Sequence, residues 1–74
     1  MNFTVTYDPA ANAGYIYLQH ISPGGVRKTV EAIPEAILLD FDNEGHLIGI
    51  EVLNANRLLP REVWKGAEPV RLPE

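Results

Sequence analysis

Short apolar runs, several of them alternating with polar residues, fill the first two thirds of the chain and end at proline, glycine or asparagine. An alternation with a period of two is typical of strands with one buried face, and these three residue types mark turns. The pattern therefore predicts five short strands joined by turns. They cover residues 3–7, 15–19, 26–33, 36–41 and 46–53.

The third predicted strand is the most polar of the five. Arg27, Lys28 and Glu31 interrupt its apolar residues, and Pro34 ends it. Charged side chains protect the unpaired backbone of a strand at the edge of a sheet. We therefore expect residues 26–33 to form an edge strand.

The last two predicted strands form a hairpin, and the length of its loop decides which side chains share a face. If Phe41 pairs with His46 across a four-residue loop, the apolar residues of both strands lie on one side. If Asp42 pairs with His46 across a three-residue loop, each face becomes mixed. The first register is favoured for that reason, and Gly45 is expected to adopt a positive φ in both. The residues that would share a face are Ile37, Leu39, Phe41, Ile48, Ile50 and Val52.

The pattern changes after Leu53. Residues 54–56, Asn-Ala-Asn, supply candidate helix caps. Pro60 suits the start of a further helical turn over residues 61–65, and Gly66 suits its end. These elements predict an α+β fold, mostly β: a small antiparallel sheet of four or five hairpin-connected strands with a short C-terminal helix.

A chain of 74 residues can hold one domain at most. We expect a single β-rich domain over residues 1–66 and, because of two further prolines, an extended tail over residues 67–74. A domain of this size buries only about 60% of the surface that its unfolded chain exposes. There is no cysteine to form a disulfide, so self-association is a natural source of additional stability.

The net charge of −4 is concentrated in the predicted sheet. Up to Asn56 the chain has seven acidic and two basic residues, a balance of −5. Such a surface does not attract phosphate backbones, so we expect no nucleic-acid partner. No apolar run approaches the length of a membrane span or of a signal peptide, and we expect a cytoplasmic protein with no membrane partner.

Residues 40–51, DFDNEGHLIGIE, nearly match the spacing of a helix–loop–helix calcium site. Such a loop needs a helix on each side, whereas both flanks here have the pattern of strands. Glu51 would also lie several residues along a strand from the turn, at roughly 3.3 Å per residue, too far to complete a cage. We therefore predict a hairpin with acidic residues facing solvent, no metal site and no cofactor.

Other candidates for chemistry are sparse. Asp40 and Asp42, at alternate positions, could support acid–base work or bind a small molecule if one were buried, and tyrosines nearby could assist. Ser22 lacks the spacing of a catalytic nucleophile, and His20 and His46 lack a third ligand. We therefore expect no catalytic residues. Whether the chain is an enzyme stays open, with a non-enzymatic role favoured.

Trp64 lies between two basic residues in the predicted C-terminal helical turn. It could fold back onto the chain's own sheet, or it could anchor a neighbouring subunit, since aromatic residues often supply interface energy. The sequence thus favours a protein-interaction module that forms a homodimer or binds a small protein. The alternative is a small-molecule-binding or enzymatic domain that uses the acidic hairpin at Asp40 and Asp42.

Four segments carry a resemblance to a known family, and they are Tyr7-Asp8-Pro9, Tyr15 to Leu18, Asp40 to Asp42, and Gly45 to Leu53. Together they resemble small bacterial proteins grouped as domain of unknown function 2283 (DUF2283), over about residues 4–60. Asn12 and Gly14 depart from the family pattern, which tends to have aspartate and an aliphatic residue there. The resemblance implies no activity, because the family is defined by lacking one. The resemblance also suggests that the genes of such proteins lie beside genes for small toxin-like proteins. This protein would then be an antitoxin or an accessory partner of such a neighbour.

Overall fold

The computed structural model describes residues 3–69. In chain order its elements are β1 (Thr4–Asp8), β2 (Ala13–Tyr17), β3 (Lys28–Ile33), β4 (Ile37–Phe41), β5 (Leu47–Leu53), α1 (Ala55–Leu58), α2 (Arg61–Lys65) and β6 (Glu68–Pro69). The predicted fold class is confirmed, because five strands form an antiparallel sheet and two short helices follow. Of the predicted tail, residues 68–69 form β6, and residues 70–74 lie outside the described part.

The strands lie in the order β3-β4-β5-β2-β1-β6, and β6 is parallel to β1. Tight turns join β1 to β2, β3 to β4, and β4 to β5. The connection from β2 to β3 is different, since β2 pairs with β5 and β3 lies at the far edge of the sheet. The edge position predicted for the third strand is therefore confirmed.

The register favoured for the β4–β5 hairpin is wrong, both at the turn and along the strands. The Asp42 N–H donates to the His46 carbonyl at 3.0 Å, and Phe41 pairs with Leu47, so the loop has three residues. A bulge in β5 then inserts Ile48, after which Leu39 pairs with Ile50. One extra residue restores the alternation that the short loop would have reversed. The apolar residues further from the turn therefore still share a face.

Cross-strand pairing gives the sheet two chemically different faces. On one face a row of aliphatic residues, one from each antiparallel strand, crosses the sheet in register. In sheet order the row is Val30, Leu39, Ile50, Ile16 and Val5, and we name this side the apolar face. On the opposite side, the polar face, the corresponding row is Thr29, Asp40, Gly49, Tyr17 and Thr4.

The helical segment covers only part of the apolar face. Ala55 of α1 is fully buried and Val52 of β5 is 4% exposed. α2 packs on β1, where the Tyr7 and Trp64 rings have centroids 5.4 Å apart. Trp64 therefore folds back onto the chain's own sheet, which is the first of the two alternatives given above. Asn54 occupies the N-cap of α1 as expected, although its side chain makes no capping hydrogen bond.

The core is small for a chain of this length. Within residues 3–69 the buried hydrophobic residues are Ile48, Val52 and Ala55. Six large hydrophobic residues in the same range are exposed, and three of them lie in or beside β3. The three at β3 are Val26, Val30 and Ile33, and the others are Phe3, Leu47 and Leu58. Exposed apolar surface is thus concentrated at one edge of the sheet.

Candidate functional site

Three side chains from three strands meet on the polar face around Asp40. The Tyr15 hydroxyl of β2 donates to Asp40 Oδ2 at 2.5 Å, and the Thr29 hydroxyl of β3 donates to Oδ1 at 2.6 Å. Asp40 and Thr29 are direct cross-strand partners, whereas Tyr15 reaches across β5, which lies between β2 and β4. Each oxygen of the Asp40 carboxylate therefore has a hydroxyl donor.

Gly49 makes the reach of Tyr15 possible. Gly49 is buried in the interior of β5, and a Cβ built on it would overlap the Tyr15 hydroxyl and lie 2.5 Å from Cζ. Tyr17 flanks the same ring, with centroids 4.6 Å apart and planes tilted by 54°. A glycine in a strand interior often marks the close approach of another group, and here that group is the ring of Tyr15.

Burial raises the pKa of Tyr15 above its ordinary value, and the hydrogen bond to Asp40 and the negative charge of that carboxylate raise it further. The phenol therefore stays protonated at neutral pH and acts as a donor, not as a nucleophile or base. Asp40 accepts one hydroxyl hydrogen bond at each oxygen, and the two donors tie its carboxylate to β2 and β3. The cluster holds β2, β3 and β4 together across the polar face.

Replacing Tyr15 by phenylalanine tests this cluster. We expect the free energy of unfolding to fall by about 1 kcal/mol, because Asp40 loses a donor while the ring stays in place.

We also expect Tyr15→Phe to change how the free energy of unfolding depends on pH. Above pH of about 10 the unfolded tyrosine releases its proton while the folded one retains it, so wild-type stability falls as the pH rises. Urea unfolding between pH 7 and pH 11 should show this fall in the free energy of unfolding, and the fall should be weaker in Tyr15→Phe. If the free energy of unfolding falls equally with pH in both proteins, the role given to Tyr15 is wrong.

Asp42, the second acidic residue of the predicted pair, serves the hairpin turn instead. Its Oδ1 accepts the backbone N–H groups of Glu44 and His46, both at 2.9 Å, and its Oδ2 lies 3.4 Å from His46 Nδ1. Gly45 has φ of 84°, as predicted. Asp42 lies just beyond the end of β4, and within the described residues it shares no hydrogen-bond partner with Asp40. The stretch with calcium-loop spacing is therefore a hairpin between strands, as predicted.

The same turn brings together three groups that could ligate a metal. One side-chain atom each from Asp42, Glu44 and His46 lies within 4.8 Å of the others. Asp42 Oδ1 is already engaged by two backbone N–H groups, which suits a turn better than an ion cage. The expectation of no metal site stays a prediction.

The backbone N–H of His46, followed by that of Glu44, lowers the pKa of Asp42. A carboxylate whose pKa is lower in the folded state stabilises the fold above its unfolded pKa, and this stabilisation is lost as the pH falls through the folded pKa. We therefore expect wild-type stability to drop as the pH falls below about 4, the ordinary pKa of an unfolded aspartate, and to drop less in Asp42→Asn. Glu44→Gln, which removes one charge from the same turn, serves as the control. If the free energy of unfolding falls with decreasing pH equally in wild type and Asp42→Asn, the role given to Asp42 in the turn is wrong.

The remaining sequence candidates do not converge. Ser22 and His20 are exposed in the connection between β2 and β3, and the Ser22 carbonyl accepts the Gly25 N–H in a turn. His20 lines a cleft of about 330 Å³ with Tyr17 and two other residues. His46 lies at the hairpin turn, on a different connection. No two of these side chains form a catalytic pair in the described part of the chain.

Fold and surface define a small β-rich domain with one apolar face, one polar face and an exposed edge strand. A family model matches residues 4–56, and the chain belongs to that family, Protein of unknown function (DUF2283). This confirms the resemblance found in the sequence. Neither a curated protein nor a solved structure gives a significant match to the chain. Within the described residues, no helix is long and apolar enough to cross a membrane.

Proposed function

We propose that this protein is a non-enzymatic interaction module, and that its binding surface is the β3 edge, defined here as residues 26–33. The partner is a second copy of the chain or a different small protein. In the second case the protein could act like an antitoxin that binds its toxin. The proposal retains the cytoplasmic location expected from the sequence. The observation that carries it is the exposure of every residue of β3, including Val30 at 36% and Ile33 at 52%.

The two edges of the sheet differ in a way that supports this choice. β6, at the opposite edge, has two residues, and one of them is Pro69, which has no backbone N–H to offer. β3 has six residues, and among residues 3–69 no strand lies beside the side of its backbone that faces away from β4. An unpaired edge of that length is a template for a further strand.

The small core supports the same proposal. With three buried hydrophobic residues in the described part, the domain has little apolar burial to offset the entropy of folding. Association that covers Val26, Val30 and Ile33 would add to the buried surface, and it would stabilise the folded state by mass action.

The rival function, binding or turnover of a small molecule at the acidic hairpin, has less support. The Asp40 carboxylate accepts hydrogen bonds from the hydroxyls of Tyr15 and Thr29. Asp42 Oδ1 accepts hydrogen bonds from two backbone N–H groups of the hairpin turn. The two carboxylates therefore have different hydrogen-bond partners, and these partners suit two structural roles better than one joint site.

Solution mass as a function of concentration tests the proposal. We expect wild type to dimerise, and Val30→Lys to raise the dissociation constant by about tenfold, because it replaces apolar contact area with a charge. Leu58→Lys is the matched control, since Leu58 is 38% exposed but lies on α1. Light scattering that finds a monomer at all concentrations contradicts self-association. Equal effects of the two substitutions contradict the choice of the β3 edge.

A further inference from the structure

We propose that the partner at the β3 edge is a second copy of this chain, paired antiparallel with its own β3 and centred on Thr29. This inference rests on the proposed function and adds the identity, direction and register of the partner. It follows from the regular part of β3 and from the distribution of charge along it.

The regular part of β3 is shorter than the whole strand. Its pairing with β4 runs without interruption from Lys28 to Glu31, and the register then shifts before Ile33. Arg27 lies directly before this stretch. Its N–H donates at 2.8 Å to the carbonyl of Phe41, the residue that Lys28 faces, so its backbone still runs beside β4 although the register changes there. A bulge disrupts the ladder and bends the strand, so we expect a new strand to pair with residues 27–31, which run beside β4 before the bend. The middle of that stretch is Thr29.

Charge along this stretch favours an antiparallel second copy. The cations Arg27 and Lys28 lie at one end, and Glu31 lies at the other. A two-fold axis at Thr29 places Arg27 of each copy opposite Glu31 of its partner, twice in the dimer. Opposite charges in direct cross-strand pairs are stabilising, and like charges are destabilising.

Other symmetric registers are less favourable. An axis at Glu31 would place that carboxylate against its own copy, and an axis at Val30 would leave Arg27 without an acidic partner. A parallel arrangement would bring cation beside cation. At Thr29 the central pair is threonine opposite threonine, which brings no like charges together; each hydroxyl keeps its hydrogen bond to Asp40 of its own chain. The dimer is isologous, so each copy supplies the same surface.

The absence of cysteine allows a direct test of the register. A symmetric antiparallel pair holds Thr29 and its copy at a Cα separation of about 4.5–5.5 Å, which a disulfide can span. We expect Thr29→Cys to form a covalent dimer under mild oxidation. Ile33→Cys is the control, because its copy would be roughly 26 Å away at 3.3 Å per residue. Cross-linking of Ile33→Cys and not of Thr29→Cys overturns the proposed register.

A charge exchange tests the same pairing without a cross-link. Arg27→Glu alone and Glu31→Arg alone should each raise the dissociation constant by about tenfold. The variant that carries both substitutions should return to within about threefold of wild type, because the opposite-charge pairs are restored in reverse. Sedimentation of the four proteins gives the constants. Additive weakening in the double variant overturns the inference.

The outcomes separate this inference from the proposed function. If wild type is monomeric and only another protein binds the β3 edge, the inference that the partner is a second copy is wrong. The proposal that the β3 edge is a binding surface is then still supported. If wild type is dimeric but the charge exchange fails to restore binding, self-association stands and the antiparallel pairing is wrong.

Discussion

Replacing Ile48 by alanine is expected to destabilise the fold by about 2–5 kcal/mol. Ile48 is 1% exposed and is the largest fully buried side chain in the described residues. Its loss removes burial and leaves a cavity beside the bulge that sets the β4–β5 register. Since small domains have a total stability of only a few kcal/mol, the variant should be largely unfolded at room temperature.

Urea unfolding measures the effect. All variants are compared at one fixed protein concentration, because the proposed self-association would make the free energy of unfolding depend on concentration. Ile48→Val retains most of the side chain and should cost about 0.5–1.5 kcal/mol. Leu47→Ala is the matched control, because Leu47 is the neighbouring residue and is 36% exposed. If Ile48→Ala costs no more than Leu47→Ala, the core is not where the structure places it.

Replacing Gly49 by alanine is the second large effect that we expect, at about 1–3 kcal/mol of destabilisation. An alanine in a strand interior is ordinarily better than glycine by about 0.5–1 kcal/mol. Here its Cβ meets the Tyr15 ring, 2.5 Å from Cζ and 2.6 Å from Cε1. The ring must move, and Tyr17 packs against it. We therefore expect the clash and the loss of the hydrogen bond to Asp40 to outweigh the gain.

A double-mutant cycle separates the clash with the Tyr15 ring from the intrinsic gain of alanine over glycine in the stability of Gly49→Ala. In a Tyr15→Ala background the ring is absent, so Gly49→Ala should become neutral or stabilising. The interaction energy between the two sites should reach about 1–3 kcal/mol, as is usual for residues in contact. A cost of Gly49→Ala that is unchanged in that background would show that Tyr15 does not lie over Gly49.

Much of the fold follows from local patterns. Alternation along β1 and β5, and turn residues such as Gly45, identify strands and turns because these depend on neighbouring residues. The edge position of β3 could also be predicted from Arg27, Lys28 and Glu31. The pairing of β2 with β5 could not, because strand order depends on contacts between distant segments. The bulge at Ile48 is not predicted from the sequence, although a three-residue loop conflicts with the apolar pattern and a bulge resolves that conflict.

The cluster around Asp40 could be predicted only in part. The sequence offers Asp40 and the tyrosines as candidates, but it suggests Asp42 as the partner of Asp40 because the two lie close together in the chain. The actual partner, Tyr15, is 25 residues away and reaches Asp40 diagonally across β5. Gly49 was the available signal, since glycine inside a strand often marks such an approach.

Concentration-dependent hydrogen exchange at the backbone amides of β3 tests the central claim most directly. In the proposed dimer the amides of residues 27–31 that point away from β4 form hydrogen bonds with the partner strand. Their exchange, followed by NMR, should slow as the protein concentration rises through the dissociation constant. Amides at the β6 edge should show no such dependence. Exchange at β3 that is independent of concentration, or slowing confined to another surface, would contradict the proposed role of the β3 edge.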